Sequence, residues 1–145
     1  MSKSSKPRKA YKPKREHIPM MGNSRDNLAM SLHMDVEAAV LAPSFEAMNT
    51  LSRKAAILSA AVDYQSTTKI HYRDDPQSKA LVAMLLTLES IDNRYQKVGK
   101  WGVTGDEAKT LRVTAGVLDE SLSGIPMNVF QAAKRLVDDL MRGAQ

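Results

Sequence analysis

The stretch Pro76–Val98 constrains the fold more than any other part of the chain. Its apolar residues are Leu81, Met84, Leu88, Ile91, Tyr95 and Val98. Steps of three, four, three, four and three are the spacing of one buried seam on an α-helix. Asp75 and Pro76 predict its start: a side-chain cap, then a proline whose missing N–H costs nothing in a first turn. Gly99 and Gly102 bracket its end. A seam of this length needs cover from other helices, and the rest of the chain reads as organised around it.

Four further helices are predicted on the same grounds. The first runs from about Arg25 to Leu41, with Ser24 as its cap and Asp26 in its first turn. Leu28, Leu32, Val36 and Val40 form its stripe, and Pro43 stops it. The second starts after Ser44 and ends near Tyr64, burying Phe45, Met48, Leu51, Ala55, Leu58 and Val62. The link Gln65–Asp75 reads as a polar, mobile loop, because a strand there would have no partner. A fourth helix starts at Thr104, which with Glu107 fits the capping box. Ala108, Leu111, Ala115, Leu118 and Leu122 repeat the seam, and Gly124 stands where a left-handed residue ends a helix. Pro126 opens the fifth, with Val129, Ala133, Leu136, Val137 and Leu140 inward and Arg142 in the last turn. Short links make neighbouring helices antiparallel. The expected fold class is therefore all-α, an antiparallel bundle of about five helices. A composition poor in aromatics (5%) and rich in Leu, Ala, Val and Met agrees with it.

Charge divides the 145 residues in two. Residues 1–17 carry seven basic side chains against Glu16, a net of 7 − 1 = +6. The remainder has 14 basic and 15 acidic residues, or −1, which gives the total of +5. With Pro7, Pro13 and Pro19 and nothing apolar in register, residues 1–19 read as a disordered basic arm, and 20–145 as the helical domain. Met20, Met21 and Gly22 would begin the contact with the body. A basic tail on a neutral body suggests a tether rather than a binding face.

The arm reads Lys-Pro-Arg-Lys-Ala-Tyr-Lys-Pro-Lys-Arg from Lys6 to Arg15. Lys6, Arg8, Lys9, Lys12, Lys14 and Arg15 suit phosphates, and Tyr11 suits stacking on an exposed base. A solvated tail without a partner is the competing reading, and an acidic protein or membrane surface a third. Nothing encodes base readout. Leu111 to Phe130 has a helix–Gly–helix look, but Asp119, Glu120, Asp138 and Asp139 would face phosphates. Gly102 to Thr110 ends in Lys-Thr like a phosphate loop, but Ala108 stands where glycine is required.

Catalytic and metal chemistry find little support. There is no cysteine, so no disulfide framework and no thiolate site. His33 and Glu37 share a helix face, but two ligands do not make a metal centre, and a surface pair is the plainer reading. His71 with Asp74 and Asp75 is weaker still. The acidic doublets diverge by about 100° along their helices and do not converge as a catalytic pair would. The expectation is a non-enzymatic protein with no cofactor and no metal. No apolar run approaches a membrane span, and the basic N-terminus lacks the apolar core of a secretory signal.

Two features suggest contact with a protein partner. Met30 and Met34 lie four apart, off the Leu28–Leu32–Val36 stripe, and give helix one a second apolar face. Core filling and a partner surface both fit it. Trp101, the single tryptophan, is expected to plug the junction of the third and fourth helices, and exposure would mark an interface instead.

Lys9-Ala10-Tyr11-Lys12-Pro13-Lys14 in the arm, with Arg94-Tyr95 and Gly99-Lys100-Trp101-Gly102-Val103-Thr104-Gly105-Asp106-Glu107 later, resembles small uncharacterised proteins carried by phages and plasmids of Gram-negative bacteria. The resemblance covers about a quarter of the chain. It brings no site residues, and it implies a bacterial cytoplasm and a mobile-element gene. Two functional expectations follow. One is an accessory protein that binds DNA or RNA through the arm with low sequence specificity, its bundle used for oligomerisation or docking. The other is a protein-binding inhibitor or adaptor acting through the bundle surface.

Overall fold

The computed structural model describes residues 22–143, which form five α-helices and no strand. They are α1 (Gly22–Leu41), α2 (Phe45–Tyr64), α3 (Pro76–Val98), α4 (Gly105–Ser121) and α5 (Met127–Gly143). Helices α1 to α4 pack in a ring, each on the next and α4 back on α1, while α5 lies outside the ring on α2. The ring runs up and down. Arg25 and Glu37 near the two ends of α1 pair with Asp119 and Arg112 of α4, in reverse order along the chain. Lys54 of α2 pairs with Asp35 of α1 at 2.5 Å.

Local chemistry starts and stops most of these helices. Ser44 Oγ accepts the Ala47 N–H at 3.0 Å and caps α2. Asp75 accepts both the N–H and the hydroxyl of Ser78 at the start of α3, with Pro76 in its first turn. Gly99 ends α3 at φ 80°, a left-handed conformation in which any Cβ is strained. Thr104 and Glu107 form a complete capping box on α4. Two ends differ from expectation. Ser24 already lies inside α1 rather than at its cap, and Asp26, also within the helix, pairs with Arg25 at 3.3 Å. Gly124 is not left-handed. Helix α4 instead tightens into a 3-10 turn over Leu122–Gly124, whose Leu122 carbonyl accepts the Ile125 N–H at 3.0 Å.

The ring core holds the expected seams: Leu32 and Val36, Leu51, Leu58 and Val62, Leu81, Met84, Leu88 and Ile91, and Leu111, Ala115 and Leu118. The Gln65–Asp75 link is a loop, but it is pinned to the core. Ile70 is buried at the start of a single 3-10 turn, and its N–H donates to Asp63 Oδ1 at 2.9 Å.

The central helix is α2, not α3. It touches α1, α3 and α5, because it has a second apolar face beyond its ring-facing seam. Ile57 and Ala61 are buried there. Arg53, four residues before Ile57 and so on the same side, pairs with Asp138 of α5. Helices α4 and α5, joined by a short link, do not pack together, so Leu111 to Phe130 forms no helix-turn-helix unit.

Four side chains expected inside are exposed: Phe45 (72%), Val98 (63%), Leu136 (52%) and Leu140 (65%). Phe45 and Val98 stand at helix tips, the first residue of α2 and the last of α3. Leu136 and Leu140 are uncovered because α5 rests on a single helix. One neighbour buries only the narrow strip Val129–Ala133–Val137, whereas each ring helix lies against two.

Candidate functional site

The α3–α4 corner is the most elaborately built part of the structure. Three of its groups converge on one carboxylate. Arg94 donates to Glu107 Oε2 at 2.5 Å and to the Gly102 carbonyl at 2.9 Å. The Ser90 hydroxyl donates to the same Oε2 at 3.1 Å. Glu107 Oε1 accepts the Thr104 N–H at 2.9 Å, closing the capping box. Burial pushes the Glu107 carboxyl up, but these donors outweigh it and hold it below the usual range. The bond to Glu107 raises the Arg94 guanidinium above its ordinary value. Trp101 stacks on Tyr95, centroids 4.0 Å apart and planes 9° apart. It is half-buried and packs against the core, as a junction plug does.

A depressed folded-state pKa stabilises the fold above the unfolded value of about 4.3. That contribution disappears as pH falls through the lowered folded value. Glu107→Gln should therefore flatten the acid side of a melting-temperature profile and leave the neutral-to-alkaline side parallel to the parent. Arg94→Ala strands a carboxylate whose side chain is only 13% exposed. It should lower the urea midpoint at unchanged slope. An unchanged midpoint would mean that the Arg94–Glu107 bond adds nothing to the stability of the corner.

Beside the corner lies a groove of about 290 Å³ between α2 and α3. Buried Met48 and Leu88, exposed Phe45, half-buried Trp101 and the exposed Glu89 and Asp92 of α3 line it. Neither carboxylate has an ion pair or side-chain hydrogen bond among the described residues. Sequence reading passed over this pair. The available signal was their spacing of three on α3, off its seam, which puts both on one face.

A second patch lies on the outer face of α1. Met30 and Met34 are each 63% exposed and line a shallow apolar concavity with His33 and Glu37. They are therefore not core filler. His33 and Glu37 do not pair with one another. His33 Nε2 sits 3.0 Å from Asp119 Oδ2, and Glu37 takes two bonds from Arg112, at 2.8 and 3.0 Å. The Arg112 hydrogen bond, helped by charge attraction, lowers the Glu37 carboxyl against the opposing effect of burial. These links tie the methionine face to α4.

The structure thus brings Met30 and Met34 together and leaves Trp101 in a separate groove. Lys6, Arg8, Lys9, Tyr11, Lys12, Lys14 and Arg15, with the expected Met20 and Met21 contact, lie outside the described residues. Among the described residues, no three His, Asp or Glu side chains gather as a metal site. No described helix is long and apolar enough to cross a membrane.

Comparison of the chain with protein-family models, with curated proteins and with solved structures found no match.

Proposed function

We propose that the chain is a non-enzymatic, nucleic-acid-associated accessory protein whose basic arm grips phosphates while the bundle serves for docking or assembly. The supporting observation is the segregation of charge. The arm carries +6 over 17 residues. In the body, Arg25, Arg53, Lys54, Arg73, Lys79, Arg94, Arg112 and Arg142 have carboxylate partners, and Lys69, Lys97, Lys100, Lys109, Lys134 and Arg135, without an ion pair among the described residues, stand on a body whose net charge is −1. The dense positive charge of the arm makes it the stronger phosphate contact of the two.

Fluorescence anisotropy with labelled duplex DNA, single-stranded DNA and RNA tests this. The pair to compare is the parent and a full-length variant with Lys3, Lys6, Arg8, Lys9, Lys12, Lys14 and Arg15 changed to glutamine. Binding by the parent alone supports the reading, and the preferred nucleic acid narrows the role. Absence of parental binding at low salt, where attraction is least screened, sinks it.

The exposed methionine face favours one other reading, a protein-binding inhibitor or adaptor. Met is a soft, adaptable surface, and here it is presented on a helix braced by α4. Under this reading, changing Met30 and Met34 to serine abolishes activity and leaves nucleic-acid binding intact. Under the first reading the same change is silent.

A further inference from the structure

We propose that α5 is an exchangeable helix: two copies of this chain dimerise by each placing its α5 on the α2 face of the other. The structure divides into a ring and an addition. Helices α1 to α4 close on one another, and the 3-10 turn Leu122–Gly124 is anchored to that ring. The turn touches α1 and α4, and Leu122 and Ile125 are buried. Helix α5 touches α2 and no other described element. A single interface therefore holds it. Val129, Ala133 and Val137 meet the Ile57–Ala61 face, and Arg53 Nε donates to Asp138 Oδ1 at 2.9 Å. Lifting α5 leaves the ring core intact, so α5 opens as a unit of its own, at less cost than global unfolding.

The occupant of a vacated α2 face is fixed by what that face already binds. Buried Ile57 and Ala61, with Arg53 on the same side, match the apolar strip and Asp138 of α5, and every copy of the chain carries that helix. Exchange remakes the same contacts between copies and gives up none of them. Two features of the closed form favour it. The first is the link. Ser121 ends α4 and Met127 begins α5, and a link this short invites exchange when the closed form carries a local cost. That cost is visible at the second residue of α5, where Asn128 Oδ1 is buried with no hydrogen-bond partner among the described residues. Opening the link returns it to water. The second feature is Leu136 and Leu140, left exposed because one neighbour cannot cover them. The short link holds the two rings of an exchanged pair close together, with both α5 helices between them. That closeness supplies the second neighbour the two leucines lack in the closed form. The pair is two-fold symmetric and closed, so assembly stops at the dimer. It requires no nucleic acid and stands apart from the function proposed above.

Sedimentation velocity on the full chain, free of nucleic acid, tests it with two charge reversals. Arg53→Asp puts like charges across the α2–α5 interface, and so does Asp138→Arg. Within either variant alone, every α5 meets a repelling α2, whether closed or exchanged. In an exchanged mixture the α5 of the Asp138→Arg chain lies on the α2 of the Arg53→Asp chain, and the other interface regains the native pair. After prolonged incubation at high concentration, the mixture should form a 1:1 dimer about 10-fold or more tighter than either variant forms alone. Copies joined without exchange gain nothing from mixing, because positions 53 and 138 then meet within one chain. A second measurement stands even where a reversal costs the fold. The chain has no cysteine, so Arg53→Cys in one chain and Asp138→Cys in another, treated with a short thiol cross-linker, join only if α5 has crossed between copies. Leu136→Asp should weaken the parental dimer by about 10-fold and leave the melting of the monomer unchanged. A parent that is monomeric at every concentration overturns the proposal. So does a mixture no more dimeric than its components, or a parental dimer whose two cysteine chains do not cross-link.

Discussion

Ile57→Asp should destabilise the protein by about 4 kcal/mol, while Leu136→Asp should stay within about 0.5 kcal/mol of the parent. Sequence periodicity alone orders the two the other way: Leu136 falls on the seam of its helix and Ile57 does not. In the structure Ile57 is 3% exposed, on the face of α2 that carries α5, and Leu136 is half in solvent. A carboxylate at position 57 has two outcomes, both costly. It stays buried without a partner, or α5 lifts and the apolar strip Val129–Ala133–Val137 returns to water. For a domain of this size the loss corresponds to about 10–20 °C in melting temperature. Thermal melts followed by circular dichroism decide the matter. Equal losses at the two positions would mean that α5 does not rest on α2.

The nucleic-acid complex of the parent should weaken by about three to four decades between roughly 50 and 200 mM salt. The size follows from counterion release. Seven basic side chains on duplex DNA give a slope of log affinity against log salt near −6, at about 0.9 per contact. Each glutamine substitution should then reduce the slope by about one, and the fully neutral arm should bring it close to zero. Tyr11→Ser should leave the slope unchanged and lower affinity for single strands more than for duplex, since stacking requires an unpaired base. An anisotropy series across salt reads both effects. A slope that stays steep after the arm is neutralised would assign binding to lysines of the body, such as Lys97, Lys100 and Lys109.

The helices and most of their ends were legible in the chain because their determinants are local. A three-four spacing states which face of a helix is apolar, as at Leu81, Met84, Leu88 and Ile91. A cap is a bond between residues three apart, as at Asp75–Ser78 and Thr104–Glu107, and four letters of sequence suffice to read it. Gly99 is legible for a similar reason, since few residues other than glycine or asparagine readily hold its backbone angle. The separation of a basic arm from a near-neutral body needs only counting.

Pairing between faces was not legible. Several helices carry similar Ala and Leu seams, and periodicity does not say which seam covers which. That α2 carries α5 on the face away from the ring, that α5 does not pack on α4, and that Leu136 and Leu140 are left uncovered all depend on how five helices share a limited apolar surface. The same holds for Arg25 with Asp119, 94 residues apart, and for Arg53 with Asp138, 85 apart. It holds too for the groove that places Trp101 beside Glu89 and Asp92. Local bonds are selected by neighbours in the chain and leave a mark in sequence. Contacts across the bundle are selected by the joint packing of all the helices, and that becomes visible only once they are assembled.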